Sequence, residues 1–294
     1  VHDLYRVIFF LEKREVIAMA FSVALQMYSV RDYADRDFKS TLQRIKEIGY
    51  KGIELAGLYG HTPAEVKKLT DEIGLVPVSA HVSLEDMLAD PDKIFTDYSE
   101  IGCTYIAISS MNKERILDEE KFNHTIKDIE NLAAAAQRNG LQLLYHNHEA
   151  EFHKINGEYA LDILYQSIPT ELLKTQIDTC WVHVAGEDPA EYIRKYIGRS
   201  PVVHLKDFIF NKNPKETDQT GDQAEEQAKE TKEEDIIISF RPLGNGVQNF
   251  PAILTAAEEA GAEWVVVEQD RPSMGKTSME CAEISRKYLK NLGI

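Results

Sequence analysis

The chain has 294 residues, 43% of them hydrophobic and 28% charged, the composition of an ordinary globular protein with enough apolar side chains for one large core. A formal net charge of −16 makes the average surface repel a phosphate backbone, which argues against a nucleic-acid partner. Cys103, Cys180 and Cys281 are scattered without CxxC spacing, which excludes a disulfide framework and a cysteine zinc site and predicts reduced thiols in a cytoplasmic setting.

In chain order, residues 1–20 read as an N-terminal extension. Tyr5 to Leu11 is apolar but reaches only about half the length of a membrane-spanning helix, and charged residues follow where a signal peptide carries small ones. Neither an anchor nor a signal is expected. Lys13 to Ile17 can be encoded by a purine-rich run resembling a bacterial ribosome-binding site, so a native start at Met19 is predicted; finding residues 2–12 in protein from the native host would overturn it.

From Phe21 onward one unit recurs: an amphipathic helix, a glycine, then a short β-rich run. Gly49, Gly74, Gly102, Gly140 and Gly261 sit where a helix ends in the left-handed conformation, and strand-like residues follow each. Strands are expected at Val23–Tyr28, Gly52–Leu55, Val76–His81, Tyr105–Ser109, Gln142–His146, Thr175–Asp178, Val202–Lys206 and Trp264–Glu268. Alternating helices and parallel strands in that number close a (β/α)8 TIM barrel, a single domain over 21–294. An open doubly wound sheet is the alternative, but the first strand turn, QMYSVRD, lacks the glycines of a phosphate-binding loop. After the seventh strand, residues 211–235 hold no aromatic side chain and no aliphatic one beyond alanine, so a solvated acidic, flexible insertion over the barrel mouth is predicted there, with a substrate lid as the alternative.

Four of these strands end in metal-capable side chains: LLYHNHEAEF in His146 and His148 with Glu149 and Glu151, LLKTQIDTCW in Asp178, SPVVHLKDF in His204 with Lys206 and Asp207, and AEWVVVEQD in Glu268 and Asp270. Any one could be a strand meeting solvent. Together they form what a polar site at the carboxyl edge of a parallel barrel requires. His146, Asp178, His204 and Glu268 are the candidate metal ligands, one from each strand, and two imidazoles with two carboxylates suit Mn²⁺, Fe²⁺, Co²⁺ or Zn²⁺ better than Ca²⁺.

From Phe21 to the C-terminus the chain resembles the xylose isomerase-like TIM barrels of the sugar phosphate isomerase/epimerase family, whose members include ketose 3-epimerases and inosose dehydratase. The residues that carry it are LQMYSVRD, GYKGIEL, YHNHEAEF, IDT, HLKD, and PLGNGVQNFPAIL followed by VVVEQD. The resemblance implies one divalent ion, Mn²⁺ first, with Zn²⁺, Co²⁺, Fe²⁺ or Mg²⁺ as alternatives. It carries a metal-binding Asp, His and Glu onto Asp178, His204 and Glu268. Where the epimerases place a first glutamate this chain has His146, so their two-glutamate proton shuttle is not intact, and the histidine is more like inosose dehydratase.

The expected activity is that of a metal-dependent sugar isomerase or epimerase moving a proton next to a carbonyl, with a dehydratase as the alternative. Glu268 is the candidate base, Glu151, His148 and His81 candidate opposing partners with Glu151 first, and Lys206 a stabiliser of an oxyanion unless it simply pairs with Asp207. Gln26, Tyr28, Glu54, His81 and Trp181 are candidate substrate contacts, although a buried Gln26–Tyr28 hydrogen bond or ordinary packing of Trp181 would also account for them. The expected partner is a small sugar, with no membrane and no nucleic acid; homo-oligomerisation is left open. Two rivals remain: an endonuclease-IV-like enzyme, which the acidic charge opposes, and a barrel that binds sugar without turnover, which has little need for three metal-capable strand ends.

Overall fold

Helix boundaries follow local chemistry. In the helix Phe38–Ile48 the apolar residues Phe38, Leu42, Ile45 and Ile48 recur at helical spacing and are buried together. Asp37 caps its start by accepting from the Ser40 N–H at 3.0 Å, and Gly49 ends it at φ 103°. Capping boxes of Thr62 with Glu65 and of Thr277 with Glu280 start the helices Pro63–Ile73 and Ser278–Asn291. Gly74, Gly102, Gly140 and Gly261 also take positive φ, as their spacing predicts.

Each such helix returns the chain to the same end of a sheet, so that successive strands run parallel. The computed structural model describes residues 21–211 and 237–294. Its strands are β1 (Ser22–Gln26), β2 (Gly52–Leu55), β3 (Val76–Val82), β4 (Tyr105–Ile108), β5 (Gln142–His146), β6 (Lys154–Ile155), β7 (Glu158–Tyr159), β8 (Leu173–Asp178), β9 (Val202–Leu205), β10 (Asp207–Asn211), β11 (Ile237–Arg241) and β12 (Trp264–Val267). The barrel closes in the order β1-β12-β9-β8-β5-β4-β3-β2, all pairs parallel, which is the predicted (β/α)8 architecture.

Period-two alternation divides the barrel strands between two environments, except in β3, where the register against β2 shifts between Ile53 and Glu54 and turns both Val78 and Ser79 inward. Outward residues such as Leu25, Ile53, Ile106, Leu143, Val203 and Val265 are buried under the helices, each contributing about 1.5–3 kcal/mol of transfer free energy. Inward residues make a separate apolar floor: Ala24, Val78, Tyr105, Ala107, Leu144, Val202 and Val266, with Trp264 packed against it. Gly52 is required there, since a Cβ would lie 2.7 Å from Val78 Cγ2 and 2.9 Å from Trp264 Cζ3. One step further along β1, β2, β5, β9 and β12 the inward residues turn polar.

Three local features differ from the sequence reading. β1 stops at Gln26 because the Gln26 Oε1 accepts from the Tyr28 N–H at 2.9 Å and starts the 3-10 turn Met27–Val30. Asn156 and Gly157, both at positive φ, join β6 to β7 in a short antiparallel hairpin outside the barrel. β9 ends at Leu205 and the chain turns directly into β10, which pairs antiparallel with β11 from Asp207↔Arg241 to Asn211↔Ile237. Apart from Asn211, the predicted insertion 211–235 and the extension 1–20 lie outside the described residues.

Candidate metal centre

Above the apolar floor, inward parity brings together Gln26 from β1, Glu54 from β2, Ser79 and His81 from β3, His146 from β5, Gln176 and Asp178 from β8, His204 from β9, and Lys206 and Glu268 just past β9 and β12. All are buried except His81, which is half-buried. Their hydrogen bonds divide them into two groups.

The first group centres on Glu54. Its Oε1 accepts from Gln26 Nε2 at 2.7 Å and lies 2.6 Å from His204 Nε2 and 3.0 Å from His81 Nε2. Its Oε2 accepts from Gln176 Nε2 at 2.6 Å and from the Ser79 hydroxyl. Burial alone would push this carboxyl up, but the His81 and His204 imidazoles hold it well below the usual range. Glu54 is therefore an anion that orients His204, fixing which ring nitrogen faces the centre of the barrel.

The second group is the predicted ligand set. Ligand atoms of His146, Asp178, His204 and Glu268 all lie within 4.8 Å of one another. His204 Nδ1 is 3.1 Å from Glu268 Oε2, and His146 Nε2 is 3.8 Å from Asp178 Oδ2. Asp178 Oδ1 accepts from the N–H groups of Cys180 and Trp181 at 2.8 and 3.3 Å, capping the helix Thr179–Val184. That cap aims the other oxygen inward. Asp178 Oδ2 and His146 Nδ1 are both buried without a hydrogen-bond partner, each costing about 1–3 kcal/mol if nothing else satisfied it. Burial, reinforced by His204 and His81, keeps His146 a neutral imidazole, and burial raises Asp178 to about 6 against the pull of Lys206. Burial would lower His204 as well, but Glu54 and Glu268 on either side lift it to about 10. Lone pairs left over on a neutral imidazole and a carboxylate, beside an oriented histidine and a second carboxylate, fit one divalent ion with nitrogen and oxygen ligands. Such an ion would take the place of the proton on His204 Nδ1.

Lys206 lies beside this set. Its Nζ is 2.9 Å from Asp270 Oδ1, 3.1 Å from Glu268 Oε2 and 3.6 Å from Asp178 Oδ2. Burial disfavours its charge, yet Asp270, Glu268 and Asp178 together hold its pKa well above the usual lysine range. Asp207 is not its partner. The Asp207 carboxylate instead accepts from the backbone N–H groups of Phe208, Gly244, Gly246 and Gln248 at 2.8 to 3.2 Å, clasping the 244–248 turn to β10. Gly246 is needed for the clasp, since a Cβ there would lie 2.2 Å from Asp207 Oδ1.

The other predicted site residues fall in different places. His148 stays at the mouth, its ring 5.1 Å from His146 and 5.5 Å from Trp181, and burial followed by Lys206 depresses it to about 3. Trp181 lies 5.4 Å from Lys206 Nζ. Gln26, Glu54 and His81 belong to the hydrogen-bonded group beneath. Glu151 is not brought into the site. It lies behind β5, where its oxygens accept from the Tyr145 hydroxyl at 2.6 Å and the His148 N–H at 2.9 Å, because Tyr145 has outward parity. Tyr28 is 43% exposed and stacks under the Arg31 guanidinium at 3.9 Å, rather than facing inward. The sequence reading passed over Ser79 and Gln176, although each is two residues from a candidate and so shares its face, whereas Asp270, read as a polar strand end with Glu268, does reach the site through Lys206. It also passed over Phe240, which β11 brings within 5.2 Å of Lys206 Nζ.

A profile of the xylose isomerase-like TIM barrel family matches residues 42–292. The chain belongs to this family. Among curated relatives it is 22% identical over 285 residues to an inosose dehydratase of Clostridium perfringens, covering 87% of this chain and 90% of that one. A sugar phosphate isomerase/epimerase structure from Parabacteroides distasonis superposes with a TM-score of 0.73 at 20% identity, over 95% of this chain and 97% of that one. The structure of the IOLI protein with a bound zinc atom superposes with a TM-score of 0.65 at 14% identity, over 92% and 98%. At such identities the structural likenesses establish the shared barrel. Among the described residues no helix is long and apolar enough to cross a membrane.

Proposed function

We propose that this xylose isomerase-like barrel is a divalent-metal-dependent enzyme acting on a small keto-sugar or sugar derivative by proton transfer next to a carbonyl, with dehydration as the net reaction. One observation carries the choice of chemistry: the carboxylate of Glu268 and the ammonium of Lys206, a base and an acid, stand 3.1 Å apart on one side of the site, while Glu151, the carboxylate expected to oppose them, lies behind β5. Inversion of a carbon by proton transfer needs an acceptor on one face and a donor on the other. Elimination of water needs a base and an acid that can act from one.

His146, Asp178, His204 and Glu268 would hold the ion, which when bound supplies Lewis-acid polarisation of the substrate carbonyl and so acidifies the adjacent C–H. Glu268, held ionised by Lys206 and His204 against its burial, accepts the proton from that carbon. Lys206 gives a proton to the departing β-hydroxyl, so the C–H and C–O bonds break, a C=C bond forms beside the carbonyl, and water leaves. The 3.1 Å contact then returns the proton from Glu268 to Lys206. His204, fixed by Glu54, and Asp178, fixed by its helix cap, stay in place throughout. The inosose dehydratase relatives are in keeping with this reaction.

Isomerisation or epimerisation is the second reading. His148 favours it: a neutral imidazole at the mouth, next to His146 and Trp181, is a second group able to exchange a proton with substrate. Protein loaded with Mn²⁺, Zn²⁺ or Co²⁺ and incubated with inosose and with ketohexoses in D₂O separates the readings by NMR. Loss of water with a new vinyl signal supports dehydration, and deuterium entering an intact sugar supports isomerisation. Neither change with any metal would remove both.

A further inference from the structure

Two unlike materials build the mouth of this barrel. Around Lys206 the lining is anionic, from Glu268, Asp270 and Asp178, with Glu54 beneath. Beside it stands an aromatic wall: Trp181, at the start of the helix after β8, and Phe240, on β11, with centroids 6.1 Å apart and planes at 82°. Both rings are partly exposed, and both lie against Lys206, at 5.4 and 5.2 Å from its Nζ. The Trp181 Nε1 is buried with no hydrogen-bond partner, so a donor is left unused within the wall. Among the described residues, the cations beside this wall already have hydrogen-bond or ion-pair partners. Lys206 serves three carboxylates, Arg31 donates to the Tyr28 and Asp270 carbonyls at 2.7 and 2.8 Å, and Arg241 donates to the Phe240 carbonyl at 2.9 Å.

We propose that Trp181 and Phe240 are the specificity wall of this site and that it selects an uncharged cyclic sugar over a phosphorylated one. The inference rests on the sugar reading above. A sugar ring offers an apolar C–H face to stack on aromatic rings and hydroxyls to accept from an indole N–H. A phosphate dianion would be set beside Glu268, Asp270 and Asp178, which already outnumber the one ammonium they share, and like charges so placed oppose binding. Phe240 is held to this duty by backbone: β11 pairs with β10 through Phe208↔Phe240, and the Asp207 clasp fixes β10 to the 244–248 turn. Cation–π support of Lys206 is the other duty these rings could have, and it would act on the chemical step rather than on binding.

Isothermal titration of the Mn²⁺-loaded full chain with inosose, D-fructose and D-fructose 6-phosphate tests this directly. At least one uncharged sugar is expected to bind saturably and at least about tenfold tighter than the phosphate ester. Phe240→Ala should weaken that binding about tenfold at unchanged metal content, and Phe240→Tyr should restore it; during turnover the Ala variant's loss should fall on KM. Tighter or equal binding of the phosphate ester, no binding by either class, unchanged affinity in Phe240→Ala, or a loss confined to kcat would each overturn it. Selective binding of an uncharged sugar without dehydration or exchange would leave the wall standing and remove the reaction proposed above.

Discussion

On the β1–β3 side of the polar layer, Glu54 has partners on both oxygens, from Gln26, His204 and His81 on one and Gln176 and Ser79 on the other. Across the barrel, on the β5–β8 side, Asp178 Oδ2 and His146 Nδ1 have no hydrogen-bond partner, and Asp178 Oδ2 has only the longer ion-pair contacts to Lys206 and His146. Each side holds a fully buried carboxylate beside a histidine. What separates them is completeness: one is a network that folds with the protein, the other a set of lone pairs held open by its neighbours. His204 stands between them, with Nε2 on the closed side and Nδ1 on the open one.

Removing the closed side should do the most damage. Glu54→Ala would leave His204, Gln26 and Gln176 buried without their acceptor, and a loss of about 3–5 kcal/mol in urea denaturation is expected, with metal affinity falling too. A loss below about 1 kcal/mol would erase the distinction. Asp178→Asn should do the reverse. The amide keeps the cap on Cys180 and Trp181, so metal-free stability should hold or rise, while metal affinity measured by calorimetry falls at least about 100-fold. A large stability loss in the metal-free variant would mean that the open side is structural after all.

Lys206→Met sharpens the contrast further. An ammonium 3.1 and 3.6 Å from two ligand carboxylates competes with a divalent ion for them, so metal affinity should rise about tenfold while turnover falls about 10²–10⁴-fold. Weaker metal binding in this variant would show that the lysine assists the ion instead.

The last test is of pH dependence. His204 is raised to about 10 in the metal-free fold from an ordinary value near ~6.5. Its protonated form therefore stabilises the fold fully below about 6.5, and that support is lost as pH rises through about 10. Metal-free protein should lose stability between pH ~7 and ~10 by this linkage, and Mn²⁺-loaded protein should lose less, since the ion replaces the proton on Nδ1. Parallel stability curves with and without Mn²⁺ would break this account.

Much of the barrel could be read from residues alone, because glycine helix ends and period-two runs are local signals. β2 and β5 lie where the sequence places them, and inward parity from Leu144 to His146 and from Gln176 to Asp178 explains why strand ends deliver these side chains to one layer. Lys206 and Asp207 were weighed as a pair, yet consecutive residues of an extended chain face opposite sides, and Asp207 turned to the 244–248 backbone. Tyr28 missed the interior because a side chain two residues earlier diverts the backbone. Glu151 is captured by an outward tyrosine whose parity was legible, but the fold of the loop between them was not. Phe240 was beyond reach, since its position depends on a strand register set across the span between β10 and β11.

The Asn211↔Ile237 pair that ends that hairpin has a further consequence for anyone building on this molecule. Paired residues of antiparallel strands keep their Cα atoms about 5 Å apart, so the chain leaves and re-enters the barrel rim through a socket whose two posts are already side by side. Loop closure grows only slowly with length, so cassettes of very different size can be exchanged at that socket for little stability. The aromatic wall next to it stays put while the cassette changes, which makes this rim a natural place to graft a new recognition module onto an old catalyst.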